Sequence, residues 1–218
     1  ENPILSETSS LDSAVNLSLW FTSKGPGLGD KLWNPWSIER KAESGTLSGS
    51  GGYVRGIFAG GTFCLQAQQV FAKAGSRTYS NSPLEKELSL TDVNLSVQHS
   101  MVDMGSDEFT VGRPHPMIDS SLRAERILAE ARDSEVSVLL LDFILGYGSS
   151  DDPVGDLIPA IGEAQGIVKN RGGHLTVVAS VCGTGDDPQG LDSQMSMLEE
   201  AGVLTLPTNE RASRLALQ

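Results

Sequence analysis

Cysteine is scarce in this chain of 218 residues: only Cys64 and Cys182 occur, far apart and in no CxxC arrangement. Such a pair suggests neither a zinc site nor a disulfide framework, and both read as buried free thiols. Basic residues are outnumbered, 16 against 28 acids. The resulting net charge of -12 leaves no basic face for the backbone of a nucleic acid, which is excluded as a partner. No apolar run approaches the ~18 residues of a membrane span. No charged segment precedes an apolar stretch as in a signal peptide, so a cytoplasmic location without a membrane partner is expected. The strict phosphate fingerprints are missing too: there is no GxxxxGK[ST], and no GxGxxG follows a strand. The first residue is Glu1 rather than methionine, which suggests a fragment or a processed chain.

What is present divides into two parts. Residues 1–52 are rich in serine and glycine, with breakers at Lys24-Gly25-Pro26-Gly27-Leu28-Gly29 and through Ser44–Gly52. They read as an N-terminal extension or linker from a preceding domain. A short helix is expected between Ser10 and Phe21, and Trp33 and Trp36 are expected to anchor the segment on a neighbouring surface. Residues 53–218 follow a regular rhythm. Strands are expected at Tyr53–Ala59, Ser100–Met104, Val136–Leu145, His174–Val181 and Val203–Leu206. Helices are expected at Thr62–Ala74, Ser120–Asp133, Pro153–Asn170, Gln189–Ala201 and Asn209–Leu217. Five βα units imply an α/β fold, a flavodoxin-like doubly wound parallel five-stranded sheet. The almost continuously apolar run Val136–Leu145 reads as a central strand covered on both faces. Pro207-Thr208-Asn209 supplies a stop and an N-cap for the last helix, and Gly75, Gly172-Gly173 and Gly202 stand where helix C-caps belong. The long connection from Gly75 to His99 reads as an excursion or flap.

Four strand-like runs end in turns of small and polar residues, and such turns are where a doubly wound domain places its binding loops. They are Gly60-Gly61-Thr62, Arg113-Pro114-His115-Pro116, Gly146-Tyr147-Gly148-Ser149-Ser150 and Gly183-Thr184-Gly185-Asp186-Asp187. Backbone N–H groups at the helix starts make phosphate or a carboxylate the default ligand. In Gly112–Asp119 the prolines fix a rigid turn carrying Arg113, His115 and Asp119. Arg113 and His115 are the candidate catalytic pair, binding phosphate or moving a proton; a purely structural loop, with His115 capping the next helix, is the rival reading. Gly146–Asp152 is the strongest anion seat, although Asp151 and Asp152 would serve equally as helix caps. With Asp186 and Asp187 they could bind Mg²⁺, but such pairs more often cap helices, and no metal site is assigned. Asp142, inside an apolar strand, must be paired, either as a simple interior partner or as an orienter of the next loop. His99 and His174, at strand starts, read as structural.

Three runs resemble a known family: Arg55-Gly56-Ile57-Phe58-Ala59-Gly60-Gly61-Thr62-Phe63-Cys64, Gly112-Arg113-Pro114-His115-Pro116-Met117-Ile118-Asp119, and Leu141-Asp142-Phe143-Ile144-Leu145-Gly146-Tyr147-Gly148. They are similar to the FdrA family, relatives of succinyl-CoA synthetase, over about residues 53–218. In those synthetases two domains of this type face each other, and helix amino ends hold the phosphate of a phosphohistidine. The resemblance implies an anion seat at Gly146, Tyr147, Gly148, Gly183, Thr184 and Gly185, and the turn Gly60, Gly61 and Thr62 stands with them as a phosphate-binding candidate. The phosphohistidine motif Gly-His-Ala-Gly is absent from this chain. The resemblance also implies an acyl-CoA synthetase domain whose site is shared with other domains or subunits in an oligomer. CoA, a nucleotide and Mg²⁺ would belong to the complete protein and no cofactor to this chain. Two alternatives stand beside it: a subunit of a carbamoyltransferase that makes oxamate and carbamoyl phosphate in purine-ureide breakdown, and a noncatalytic assembly domain. The partners implied are phosphate, an acyl phosphate or carbamoyl phosphate.

Overall fold

The computed structural model describes residues 52–218. The expected N-terminal helix, both tryptophan anchors and the extension up to residue 51 lie outside the described residues. Five strands form one wholly parallel sheet: β1 (Tyr53–Phe58), β2 (Ser100–Asp103), β3 (Val136–Ile144), β4 (Thr176–Cys182) and β5 (Leu204–Leu206). The helices are α1 (Gly61–Lys73), α2 (Asp107–Thr110), α3 (Ser121–Arg132), α4 (Ile158–Asn170), α5 (Leu191–Glu200) and α6 (Asn209–Ala216).

The period of two along the strands sorts the apolar residues into two layers. Ile57, Val102, Leu139, Leu141, Phe143, Val177 and Ala179 face Ile127 of α3, Ile161 and Ala164 of α4 and Leu198 of α5. Val54, Phe58, Met101, Val138, Leu140 and Val178 face Phe71 and Ala67 of α1 and Ala212 and Leu215 of α6. β3 lies mid-sheet, so both its faces are covered, and its nearly unbroken apolar sequence follows from that. Together the two layers dominate the favourable side of folding, at ~25 cal/mol per Å² of apolar surface buried.

The ends of the elements obey local rules with a few shifts. Gly75, Gly172 and Gly202 close helices at φ of +81°, +81° and +74°. Thr208 caps α6, its hydroxyl oxygen accepting from the Arg211 N–H at 3.3 Å. The helix expected from Pro153 begins only at Ile158. Residues before it form a turn in which the Asp152 carboxylate accepts from the Gly155 N–H at 3.1 Å, a local bond that competes with helix. The excursion from Gly75 to His99 is tied down at both ends. Tyr79 bridges to Ser100 beside the sheet. Farther along, Glu130 of α3 is a buried hub that accepts from Arg55 at 3.0 Å, Arg126 at 2.6 Å and Ser96 at 2.5 Å.

Candidate functional site

The strand order is β2-β1-β3-β4-β5, so the winding reverses between β1 and β3. Ligands of open parallel sheets bind at the carboxyl ends of the strands where the order reverses, because the loops there part to opposite faces. In this molecule the loops are those after β1 and β3.

The first loop delivers backbone donors to solvent. Gly60, extended at φ −163°, precedes α1; no side chain caps the helix, and its first turn holds no acid. Gly61 and Thr62 are exposed. The first helical bond runs from the Cys64 N–H to the Gly60 carbonyl, so the N–H groups of Gly61, Thr62 and Phe63 find no acceptor among the described residues. Beneath them the backbone is fixed. The Ala59 N–H donates to Asp142 Oδ1 at 2.8 Å, and Arg123 Nη2 donates to the same oxygen at 2.9 Å, to the Ile57 carbonyl at 3.0 Å and to the Asp142 carbonyl at 2.7 Å. Asp142 is therefore an interior pair and a loop orienter at once. Burial pushes its carboxyl above the ordinary value, opposed by the Arg123 charge and the Ala59 N–H.

The second loop needs glycine: Gly146 and Gly148 have φ of +120° and +88°, in the region L side chains avoid. Gln189 braces it from the next connection. Its Oε1 accepts from the Gly146 N–H at 3.0 Å, and its Nε2 donates to the Gly146 carbonyl at 2.9 Å and the Ser150 carbonyl at 3.0 Å. The Ser150 N–H donates to the Met117 carbonyl at 2.7 Å, joining this loop to the His115 turn. The N–H groups of Tyr147 and Gly148 are left without acceptors among the described residues, and Tyr147 is 94% exposed.

The third loop is closed on itself. Asp187 Oδ2 accepts from the Thr184 N–H at 2.5 Å and from the Thr184 hydroxyl at 3.2 Å, while the Asp186 N–H donates to Thr184 Oγ1 at 3.3 Å. Asp152 is likewise engaged, by the Gly155 N–H and by Gln194 Nε2 at 2.8 Å. Both acids serve turn amides, and the described residues contain no group of three or more His, Cys, Asp or Glu that could hold a metal ion.

The rigid turn parts its two candidates. Arg113 lies exposed along a groove of about 460 Å³ with Glu108, Val111 and Leu122. His115 is half-buried; it caps its own turn, Nδ1 accepting from the Met117 N–H at 3.2 Å, and does not cap α3. Sequence reasoning passed over its neighbour Asp103, the last residue of β2, which is 8% exposed. An acid ending a strand, followed by Met104-Gly105-Ser106, was the available signal. Gln189 carried none, because its partner lies 43 residues away.

At the opposite edge His99 is structural: its Nδ1 accepts from the Val54 N–H at 3.1 Å, and its ring packs edge-on against Tyr53 and Phe71. Burial, then the Arg55 charge, holds it below the ordinary imidazole value. His174 lines a cavity of about 180 Å³ there with His99 and Val54. The two thiols differ from the expectation in one respect. Cys64 is buried and pushed up to about 12 by burial, but Cys182 is exposed, because it ends β4 at the loop edge.

A doubly wound parallel sheet with open helix-start amides at its switch point defines an α/β domain. The chain belongs to the CoA-ligase family, whose model matches residues 57–218. Over 164 residues it is 42% identical to the uncharacterized protein YahF of Escherichia coli (strain K12), a match spanning 75% of this chain and 32% of that protein. It resembles in fold the dinucleotide forming acetyl-coenzyme A synthetase 1 of Ca. Korarchaeum cryptofilum. In complex with phosphate and ADP, that protein gives a TM-score of 0.51 at 18% identity, over 97% of this chain and 41% of the other. Its apo form gives 0.54 at 16% identity, over 99% and 42%. The chain thus spans about a third of the curated relative and about two-fifths of the solved structures.

Proposed function

We propose that this CoA-ligase domain belongs to an FdrA-type acyl-CoA synthetase and holds phosphate or an acyl phosphate in an active site completed by other domains or subunits. The observation that carries this reading is the pair of open amide clusters at the β1/β3 switch point: Gly61, Thr62 and Phe63 at the start of α1, and Tyr147 and Gly148 across from them. Backbone N–H groups at the start of a 13-residue helix favour an anion through both hydrogen bonds and the helix dipole. Gly60 and Gly146 shape these two seats. Gly183, Thr184 and Gly185 form the outer wall, because Asp187 already fills that turn. His115 supplies a proton donor at the rim, and exposed Arg113 is available to an incoming ligand or domain. The solved relative's complex with phosphate and ADP is consistent with such a seat. CoA, nucleotide and Mg²⁺ enter with the rest of the assembly.

Calorimetry on the complete protein with its partners tests the reading, using acetyl phosphate, carbamoyl phosphate and CoA as separate titrants. Gly148→Asp serves as the site variant, since Asp tolerates a left-handed backbone better than most residues and places a carboxylate among the amides. The synthetase reading expects CoA and acetyl phosphate to bind, with acetyl phosphate weakened at least about tenfold by Gly148→Asp, a loss of about 1.4 kcal/mol. Carbamoyl phosphate binding without CoA would move the assignment to a carbamoyltransferase. Binding of none of the three would leave an assembly domain.

A further inference from the structure

β1 pairs with β3 only as far as Ile57 opposite Leu141, while it stays with β2 to Phe58 opposite Asp103. Where β1 and β3 part, backbone groups that a continued ladder would have used need other partners. Side chains supply them. Arg123 Nη2 donates to the Ile57 carbonyl at 3.0 Å and to the Asp142 carbonyl at 2.7 Å, and Asp142 Oδ1 accepts from the Ala59 N–H at 2.8 Å. Between these two ties, the Phe58 carbonyl accepts from the Met104 N–H at 2.9 Å. The three residues before Gly60 are thus each held, and the open amides of α1 begin two residues after the last of them. The ion pair gives up a bond of its own for this. Nη2 meets Oδ1 at 2.9 Å, but Arg123 Nε and Asp142 Oδ2 find no hydrogen-bond partner among the described residues, although both side chains are buried. A guanidinium and a carboxylate free to turn toward each other make two parallel bonds. Here each is turned toward backbone instead, and two buried polar atoms stay unpaired at a cost that support of the fold alone does not explain.

We infer that Asp142, held by Arg123, is a positioning residue for the start of α1: its Oδ1 stands in for the strand partner that Ala59 lacks and sets the direction in which the amides of Gly61, Thr62 and Phe63 point. Packing does not set it at the turn itself, since a Cβ built on Gly60 would meet nothing within 4 Å. The bonds beneath the turn are what remain. The consequence for binding rests on the phosphate seat proposed above. Amides already aimed have little freedom left to lose when an anion arrives, so affinity depends on Asp142 although that residue is 1% exposed and does not touch the ligand.

Two readouts on the 218-residue chain separate positioning from mere support: urea unfolding, and the affinity of the folded chain for inorganic phosphate, followed through its backbone amides by NMR. Asp142→Asn leaves the buried Arg123 charge unbalanced but keeps Oδ1 as an acceptor for the Ala59 N–H. It is expected to unfold at lower urea while its phosphate affinity stays within about threefold of the parent's. Asp142→Ala removes the acceptor as well, and is expected to weaken phosphate at least about tenfold. Parental affinity in Asp142→Ala, or an equal loss in both variants, overturns the inference. Should Asp142→Ala fail to fold, the parent chain decides: a scalar coupling across the hydrogen bond from the Ala59 ¹⁵N to the Asp142 ¹³Cγ is expected, and its absence overturns the inference. If the parent binds no phosphate, the phosphate reading fails and the positioning is read without ligand. The amide shifts of Gly61, Thr62 and Phe63 must then move in Asp142→Ala and lie near the parent's in Asp142→Asn; amides unmoved by Asp142→Ala overturn it.

Discussion

The loops after β1 and β4 are built from nearly the same residues, Gly60-Gly61-Thr62 and Gly183-Thr184-Gly185, yet they present opposite chemistry. After β1 no side chain caps the helix, and three helix-start amides have no acceptor among the described residues. After β4 the carboxylate of Asp187 folds back onto Thr184 and takes the donors an anion would need. A small glycine turn at a strand end is thus only half a binding site. The other half is the absence of an acid a few residues on, and α1 carries none in its first turn.

The largest effect expected from breaking this contrast lies beneath the open loop. Arg123→Ala leaves Asp142, 1% exposed, without its buried cation. Losing one partner of a buried pair costs about 3–5 kcal/mol, so urea unfolding should show a drop of that size. A loss under about 1 kcal/mol would mean that the pair does not support the β1 loop.

Thr62→Asp converts the open loop into the closed kind. It should weaken phosphate binding at least about tenfold while leaving stability level or raised by about 0.3–1 kcal/mol through the helix dipole. Calorimetry and urea titration on the one variant read the two opposite signs; a stable variant with unaltered phosphate binding would move the ligand elsewhere. The converse change, Asp187→Ala, should cost about 1 kcal/mol for its lost turn bonds and free the Thr184 N–H to respond to added phosphate, which amide NMR can follow.

The amino edge of the sheet gives the smallest effect and the control. His99 is held below its ordinary value of 6.5 by burial and the Arg55 charge, so its neutral form is the one the fold favours. Its contribution is fully present above that value and lost as pH falls below it, because the unfolded chain binds the proton first. Unfolding midpoints should decline between about pH 7 and pH 5, and His99→Gln should flatten that decline.

The sheet was legible because its signals are local. Alternating and continuous apolar runs placed all five strands, and Pro207-Thr208 and the glycines at 75, 172 and 202 placed helix ends. The candidate site was legible only as backbone turns. Arg123 sits on α3 between Leu122 and Ala124, and nothing in helical spacing announces a guanidinium that is 3% exposed and bonded 19 residues away. Gln189 gains its role from a loop 43 residues away that the chain brings near it in space, which composition and spacing do not encode. Arg113 lines a groove that His115, two residues on, does not.

The phosphate seat is tested most directly by titrating the ¹⁵N-labelled chain with inorganic phosphate and following backbone amides by heteronuclear NMR. Saturable shifts are expected at Gly61, Thr62, Phe63, Tyr147 and Gly148, with Thr184 and Gly185 unmoved. Shifts centred on Thr184 and Gly185, or none at the switch point, would contradict that seat.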